Sequence, residues 1–175
     1  MELKLIELLS LFLILTSGDN MKIELGSGNY PREEYYHFDV RPNVPDLDCQ
    51  ADIRYLPIKD NTIDEIIAIQ TLEHISWQEV TVVLVEMWRV LRPSGRVKIY
   101  VPDLKLIARQ ILNNEIDFAI LITWIYGGGQ GIPEDFHKSG YTKDYLSLLL
   151  CQSGFNIETI TDGEGVYVEA TKYDN

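Results

Sequence analysis

The stretch from Lys22 to Arg41, KIELGSGNYPREEYYHFDVR, begins like a nucleotide-binding site. A short apolar strand runs into Gly26-Ser27-Gly28, as in the turn that brings a pyrophosphate to the start of a helix. The third glycine of that fingerprint is missing, and Pro31 stands where the helix should begin. Asp39 follows Gly26 by only 13 residues, against about 20 in the full fingerprint. The sequence therefore offers no good seat for the pyrophosphate of NAD or FAD.

A ligand that has a ribose but no phosphate would not need that helix. It would still need glycines where the backbone passes close to it and a carboxylate for the ribose hydroxyls, which Asp39 could supply, although Asp39 could instead close a turn before Arg41-Pro42. A cationic ligand would add a use for Glu24, because a charge inside an apolar strand is uncommon unless it is paired or functional. S-adenosylmethionine has adenosine, a sulfonium and an α-amino group, and fits this pattern. The charged cluster Arg32-Glu33-Glu34 is interpreted as a solvated surface.

The composition narrows the class of partner. The 175 residues carry a formal net charge of −12 at pH 7 and contain no run of Lys and Arg. Nucleic-acid binding is therefore disfavoured, because such proteins usually present a basic patch to the phosphates. Cys49 and Cys151 have no CxxC or Cys/His ligand spacing, so we expect no metal, and two isolated thiols fit a reducing cytoplasm.

The elements that must position these residues begin as an alternation of strands and helices. Thr62–Gln70 and Gly95–Val101 are apolar on successive residues, the pattern of strands buried on both faces in a parallel sheet. Between them, a capping box at Ser76 and Glu79 predicts a helix that ends at Pro93 and Gly95. Strand, helix and strand in this order imply a right-handed parallel crossover. Shorter strands are predicted at 23–25, 36–40 and 49–52, with no room for a full helix between the first two.

Two more helical segments and a hairpin complete the chain. Asp103–Tyr126 is predicted to be helical with an interruption near Asn113-Asn114, and its second half, FAILITWIY, is expected to be buried. Thr142 is expected to cap a last helix, Asp144–Cys151. The segments FNIETIT and VYVEATKY, joined by a turn at 162–165, predict an antiparallel C-terminal hairpin. The fold class is α/β.

Successive motifs of the chain resemble those of class I S-adenosylmethionine-dependent methyltransferases. They are IELGSGN with Asp39, ADIRYLPIKDNTIDEIIAIQTLEHI and EMWRVLRPSGRVKIYVPDL. More narrowly, they resemble small predicted methyltransferases of bacterial and viral genomes whose first helices are shortened, as do the later YGGGQGIPEDFHKSGYT and LLCQSGF segments. The resemblance implies a Rossmann-like, mostly parallel sheet with helices on both faces, and S-adenosyl-L-methionine as the cofactor.

The resemblance also implies that the cofactor lies at the carboxyl ends of four strands. The residues implied are Glu24, Gly26, Ser27 and Gly28 for the methionine end, Asp39 for the ribose hydroxyls, Asp52 and Ile53 for the adenine edge, and Gln70 and Leu72 for the sulfonium. Asn29 departs from the family pattern, because it replaces the third small residue common in this loop.

Three residues are candidates for acid–base chemistry on the acceptor. His74, preceded by Glu73, follows the fourth strand, and both are expected to face the substrate cleft. Asp103 follows the fifth strand, and His137 belongs to a glycine-flanked segment that could close over the site as a lid. Each could act as a base if the acceptor is a hydroxyl or a protonated amine. His74 could instead brace its loop through hydrogen bonds. His37, inside the second strand, is interpreted as a packed histidine.

These observations predict a cytoplasmic methyltransferase for a small-molecule or glycan acceptor, with no nucleic-acid or membrane partner. The alternative is a module of the same fold that binds S-adenosylmethionine or S-adenosylhomocysteine without turnover. Residues 21–175 are expected to form a single domain, and residues 1–20, with an apolar run from Leu8 to Leu15, an N-terminal extension. That extension could be a signal peptide, a docked helix, or an upstream extension of a reading frame that starts at Met21.

Overall fold

The computed structural model describes residues 20–173, so the predicted N-terminal extension lies, apart from Asn20, outside the described residues. Seven strands are found in the described chain: β1 (Lys22–Leu25), β2 (Tyr36–Asp39), β3 (Cys49–Gln50), β4 (Ile63–Ile69), β5 (Leu91–Pro102), β6 (Phe155–Thr161) and β7 (Gly165–Lys172). They form one sheet in the order β3-β2-β1-β4-β5-β7-β6. All neighbours from β3 to β5 are parallel, and β7 is antiparallel to both β5 and β6. The predicted mostly parallel sheet with an antiparallel C-terminal pair is confirmed.

Four α-helices accompany the sheet in the described residues. They are α1 (Val80–Val90), α2 (Leu104–Leu112), α3 (Phe118–Tyr126) and α4 (Lys143–Gln152), with short 3-10 turns at Leu72–His74 and Pro133–Asp135. Residues 26–35, between β1 and β2, contain turns and bends but no helix. The predicted loss of the first helix is therefore confirmed. Thr142 caps α4 as expected, because its side chain accepts a hydrogen bond from the backbone N–H of Tyr145 at 3.3 Å.

Helix α1 packs on the sheet through its apolar stripe. Its buried residues are Val80, Val83, Leu84, Met87 and Val90. The predicted capping box is wrong, because the Glu79 carboxylate accepts a hydrogen bond from Arg54 at 2.6 Å and does not return to the backbone of Ser76. The helix also ends earlier than predicted, since Leu91 already begins β5.

Helices α2 and α3 are separated near Asn113, as the sequence predicts. The expectation that α3 is buried is wrong. None of its residues is buried, and Phe118 and Tyr126 are 73% and 56% exposed. The physical reason is that the inner side of α3, at Thr123 and Trp124, borders a cavity and not the core. Among the described residues, no helix combines the length and apolar character that crossing a membrane requires.

The topology places the site at one edge of the sheet. Strand β1 lies between β2 and β4, so the order of the strands reverses there. In open α/β sheets, ligands bind in the crevice outside the carboxyl ends of the strands at such a reversal. The loops that follow β1, β2, β4 and β5 all meet at this edge.

Candidate active site

A cavity of about 1050 Å³ opens at the carboxyl ends of the parallel strands. Most of the residues predicted from the sequence line it. They are Gly26, Ser27, Gly28, Asp39, Asp52, Ile53, Gln70, His74, Asp103 and His137. Of the predicted residues, Glu24 and Leu72 are not part of its lining. The topology therefore brings together residues that lie far apart along the chain.

The loop after β1 needs glycine at two positions. Gly26 and Gly28 have φ values of +70° and +62°, in the left-handed region that other residues seldom adopt. A Cβ added to Gly26 would lie 2.6 Å from Cγ2 of Thr71, so the loop passes directly against the end of β4. Ser27 between them is buried, and its Oγ has no hydrogen-bond partner. The loop thus presents its backbone and an unpaired hydroxyl at the cavity wall, as a close-fitting ligand would require.

Asp39 ends β2 as a buried and fully hydrogen-bonded carboxylate. It accepts the backbone N–H of Gly28 at 3.0 Å and the backbone N–H of Arg41 at 2.9 Å. The Arg41 guanidinium adds Nε at 3.1 Å and Nη2 at 3.2 Å. Burial by itself would raise the pKa of Asp39, but the hydrogen bonds from Arg41 and Gly28 outweigh it and hold the pKa below its ordinary value.

Glu24 lies deeper than the sequence suggests. It is 1% exposed, and its carboxylate accepts hydrogen bonds from the backbone N–H of Arg32, at 2.9 Å, and from the Arg32 guanidinium. Arg32 is therefore not only a solvated surface charge, because it turns back to neutralise a buried acid. The predicted direct contact of Glu24 with a cofactor is not supported by this geometry, since its side chain faces Arg32 behind the glycine loop.

Four site residues were predicted after β3 and β4. Three of them line the cavity, and the fourth, Leu72, does not. Asp52 lines the cavity while paired with Arg54, whose Nη2 lies 2.5 Å from Oδ2. Ile53 is buried beside it, and Gln70 is exposed at the end of β4. Leu72 is a correction to the sequence prediction, because the 3-10 turn directs its side chain into the core with no exposed surface.

The three candidate acid–base residues also line the cavity. The rings of His74 and His137 meet edge to face, with centroids 4.9 Å apart. Burial lowers the pKa of both imidazoles, so both are neutral at pH 7. Asp103 is 5% exposed, and its carboxylate caps α2 by accepting the backbone N–H of Lys105 at 2.9 Å.

Glu73 belongs to this group, although the sequence predicted only that it faces the substrate cleft beside His74. It is 1% exposed, and neither carboxylate oxygen has a hydrogen-bond partner. Burial raises its pKa to about 8. Its backbone carbonyl accepts the N–H groups of Lys138, at 2.7 Å, and Ser139, at 3.1 Å, which fixes the segment carrying His137 against the turn carrying His74. The one feature of the sequence that indicates this arrangement is an acidic residue next to a histidine directly after a strand.

Position 127 must be glycine for His137 to lie where it does. Gly127 has a φ of +65°, and an added Cβ would lie 2.2 Å from the carbonyl oxygen of Asp135 and 2.8 Å from Cδ2 of His137. The backbone therefore passes directly beside the imidazole. On the other side of the ring, Nδ1 of His137 donates a hydrogen bond to the carbonyl of Trp124 at 3.1 Å.

Comparison with known proteins agrees with this geometry. Residues 28–99 match the family model described as a methyltransferase domain. A search of curated protein sequences gave no significant match.

Three solved structures illustrate the shared fold. A SAM-dependent methyltransferase from Methanosarcina mazei is 16% identical with a TM-score of 0.64, and 100% of each chain is covered. A Pyrococcus horikoshii protein is 21% identical with a TM-score of 0.63, covering 97% of this chain and 89% of that one. The 1,6-didemethyltoxoflavin-N1-methyltransferase of Burkholderia thailandensis is 14% identical with a TM-score of 0.59, covering 94% and 76%. These likenesses concern the fold. Residues 28–99 are similar to a methyltransferase domain, and the whole chain has the fold of S-adenosylmethionine-dependent methyltransferases.

Proposed function

We propose that this chain transfers the methyl group of S-adenosylmethionine to a small-molecule or glycan acceptor. The observation that carries the proposal is one cavity that joins the glycine loop and Asp39 to the group of His74, Asp103 and His137. Its volume of about 1050 Å³ is just above the range of about 300–1000 Å³ for ligand pockets, which leaves room for a cofactor and an acceptor together. The net charge of −12 further disfavours a nucleic-acid acceptor.

The residues on the glycine-loop side fit the cofactor. The methionine end of the cofactor suits the backbone at Gly26 and Gly28 and the unpaired hydroxyl of Ser27. Asp39 suits the ribose hydroxyls once the side chain of Arg41 moves away from its carboxylate. Asp52 and Ile53 remain the candidates for the adenine. When bound, the cofactor supplies an electrophilic methyl group on a sulfonium. Glu24 would act indirectly, by holding Arg32 behind the loop.

The residues on the other side would align the acceptor and manage its proton. Methyl transfer is an in-line displacement, so the main contribution of the enzyme is to hold the acceptor atom and the methyl group in line. A base is needed only for a hydroxyl or a protonated amine. His74, His137 and Asp103 border the cavity where such an acceptor would lie, and their roles remain predictions.

Calorimetric titration with S-adenosylmethionine and S-adenosylhomocysteine, with NAD as the control, tests the cofactor half of the proposal. We expect micromolar binding of both sulfur ligands, binding about 10- to 100-fold weaker in Asp39→Ala, and no binding of NAD. Saturable binding of NAD alone would contradict the proposal.

Release of S-adenosylhomocysteine in a screen of small-molecule, glycan, peptide and RNA acceptors tests the acceptor half. Turnover with a peptide or with RNA alone would exclude the proposed acceptor class. Cofactor binding without turnover on any acceptor would favour the non-catalytic binding module instead.

Two further expectations belong with this proposal. We propose that residues 21–175 act as a single methyltransferase domain and that the protein works in the cytoplasm, where two thiols without metal-site spacing suit the reducing conditions. Expression of residues 21–175 should give a cooperatively melting protein that still binds the cofactor. Cell fractionation of a tagged full-length chain checks the compartment, and recovery from the membrane or secreted fraction would contradict it.

A further inference from the structure

Glu73, His74 and His137 bring three possible metal ligands together at the acceptor side of the cavity. Each offers one ligand atom, and the three atoms lie within 4.8 Å of one another. Within residues 20–173, no other group of three His, Cys, Asp or Glu side chains meets this condition. The group joins the turn after β4 to the segment after α3, two parts of the chain that are 63 residues apart at His74 and His137.

The carboxylate of Glu73 is the observation that points to a ligand. It is buried, and neither of its oxygens has a hydrogen-bond partner. A buried carboxylate in this state is costly unless it takes up a proton or meets a cation. In the empty site the carboxyl group avoids this cost by holding a proton, and a metal ion bound between the three groups would displace that proton.

Both histidines have a ring nitrogen free to bind a metal ion. Nδ1 of His137 donates to the carbonyl oxygen of Trp124 at 3.1 Å, which leaves the lone pair of Nε2 available. A carbonyl on the far nitrogen is a common partner for a metal-bound imidazole. In His74, Nδ1 is buried without a hydrogen-bond partner. Each ring therefore keeps a nitrogen that is available to a metal ion.

We propose that Glu73, His74 and His137 form a binding site for a divalent transition metal of the zinc type. One carboxylate and two imidazoles, with a fourth position left open, are the ligands of a known class of catalytic zinc site. Metal–ligand bonds of about 2.0–2.1 Å require the ligand atoms to approach to about 3.4 Å in a tetrahedron, so the group would contract on binding. His74 and His137 line the cavity and Glu73 lies behind them, so the open position faces the cavity.

This inference changes the expectation drawn from the sequence. The absence of a metal was predicted from the spacing of cysteines, which do not take part in this group. A cation here would favour acceptors with an ionisable oxygen, because a metal stabilises the deprotonated form. It would also engage both histidines, so that Asp103 is the remaining candidate base. The statement about the acceptor rests on the proposed methyl transfer, whereas metal binding does not.

The test uses the untagged full chain, stripped with a chelator and titrated calorimetrically with Zn²⁺. We expect one ion per chain, and visible absorption bands of a tetrahedral site when Co²⁺ replaces Zn²⁺. Glu73→Gln and His137→Ala should each weaken Zn²⁺ binding by at least about 100-fold, more than the loss of an outer partner usually costs. Glu134→Gln is the matched control, because it removes a carboxylate from the neighbouring 3-10 turn outside the group and should leave the affinity unchanged.

The outcomes separate metal binding from folding and from methyl transfer. Glu73→Gln replaces a mostly protonated carboxyl group by an amide of the same shape, so the metal-free variant should melt close to the metal-free wild type at pH 7. Failure of the wild type to bind Zn²⁺ stoichiometrically, or equal affinity in Glu73→Gln, would overturn the proposal. Equal affinity for Mg²⁺, which prefers oxygen ligands, would overturn the transition-metal assignment. Cofactor binding without Zn²⁺ binding would leave the proposed function standing and this inference refuted.

Discussion

Asp39 receives four hydrogen bonds, three of them from Arg41 and one from the backbone of Gly28. An ionised carboxylate has about four lone-pair positions, so Asp39 has little capacity left for another donor. The two guanidinium bonds are the ones that a ligand could replace without moving the backbone. A ribose bound by Asp39 must therefore displace the side chain of Arg41.

Removing the Arg41 side chain should strengthen cofactor binding. We expect Arg41→Ala to bind S-adenosylhomocysteine about three- to tenfold more tightly, because the ribose no longer competes with two charge-assisted bonds. Asp39→Ala should weaken binding by about 10- to 100-fold, the effect of losing hydrogen bonds to a charged group. Isothermal titration measures both. A tenfold weaker affinity in Arg41→Ala would instead mean that Arg41 itself contacts the ligand.

The same carboxylate should make stability depend on pH. The pKa of Asp39 is lower in the folded protein than its ordinary value of 3.8. Its stabilising effect is therefore fully present above about pH 4 and is lost as the pH falls through the folded pKa. Asp39→Asn should lower the free energy of unfolding by about 1–3 kcal/mol at pH 7, and the difference from wild type should shrink below pH 4.

Urea unfolding at a series of pH values measures this dependence. Asp46→Asn is the control, since the Asp46 side chain is exposed and only its backbone carbonyl contacts His37. A difference between wild type and Asp39→Asn that stays constant from pH 7 to pH 3 would contradict the predicted role of the charge.

Gly26 and Gly28 should respond differently to the same substitution. Both have positive φ values, but a Cβ on Gly26 would lie 2.6 Å from Thr71, whereas one on Gly28 would lie 3.4 Å from the flexible end of Arg41. Gly28→Ala therefore adds mainly backbone strain, of about 1–2 kcal/mol, and Gly26→Ala adds a clash with a buried neighbour. We expect Gly26→Ala to melt several degrees lower than Gly28→Ala and to lose cofactor binding. Equal melting temperatures would show that Thr71 does not confine the loop.

Gly127→Ala should disturb His137 without touching the cofactor side. Its Cβ would meet Asp135 and His137, so the loop must shift and take the imidazole with it. Zn²⁺ affinity should fall at least about tenfold, while the affinity for S-adenosylhomocysteine should stay within about threefold of wild type. Gly131→Ala is the control, because Gly131 also has a positive φ but no heavy atom lies within 4 Å of its added Cβ. A similar loss of Zn²⁺ binding in both variants would assign the effect to general loop strain.

Much of the fold could be predicted because its signals are local. The apolar run of β4 directly indicates a strand buried on both faces. The glycines followed by Pro31 directly indicate that the helix after β1 is missing. Thr142 is a further case, since a cap depends on residues within one turn of it. Most of the cavity wall followed from the resemblance, because the carboxyl ends of parallel strands must share one edge.

The rest depended on contacts between distant residues. No local pattern predicts that Arg32 hydrogen-bonds to Glu24. Nor does one predict that the Glu79 carboxylate binds Arg54 and does not cap its own helix. The chemical role of Glu73 was missed for the same reason, since its lack of hydrogen-bond partners exists only in the folded chain. Helix α3 shows the limit of composition: apolar residues favour burial, but only packing decides whether a surface is available to them.

Strand β7 is the last of the described strands, yet it lies between β5 and β6. Until residues 165–172 have left the ribosome, β5 keeps an open edge of unpaired backbone groups, which can pair with the edges of other chains. A nascent chain therefore cannot close its sheet gradually from the N-terminus. The order of the strands thus leaves the edge of β5 open to association with other chains until β7 is in place.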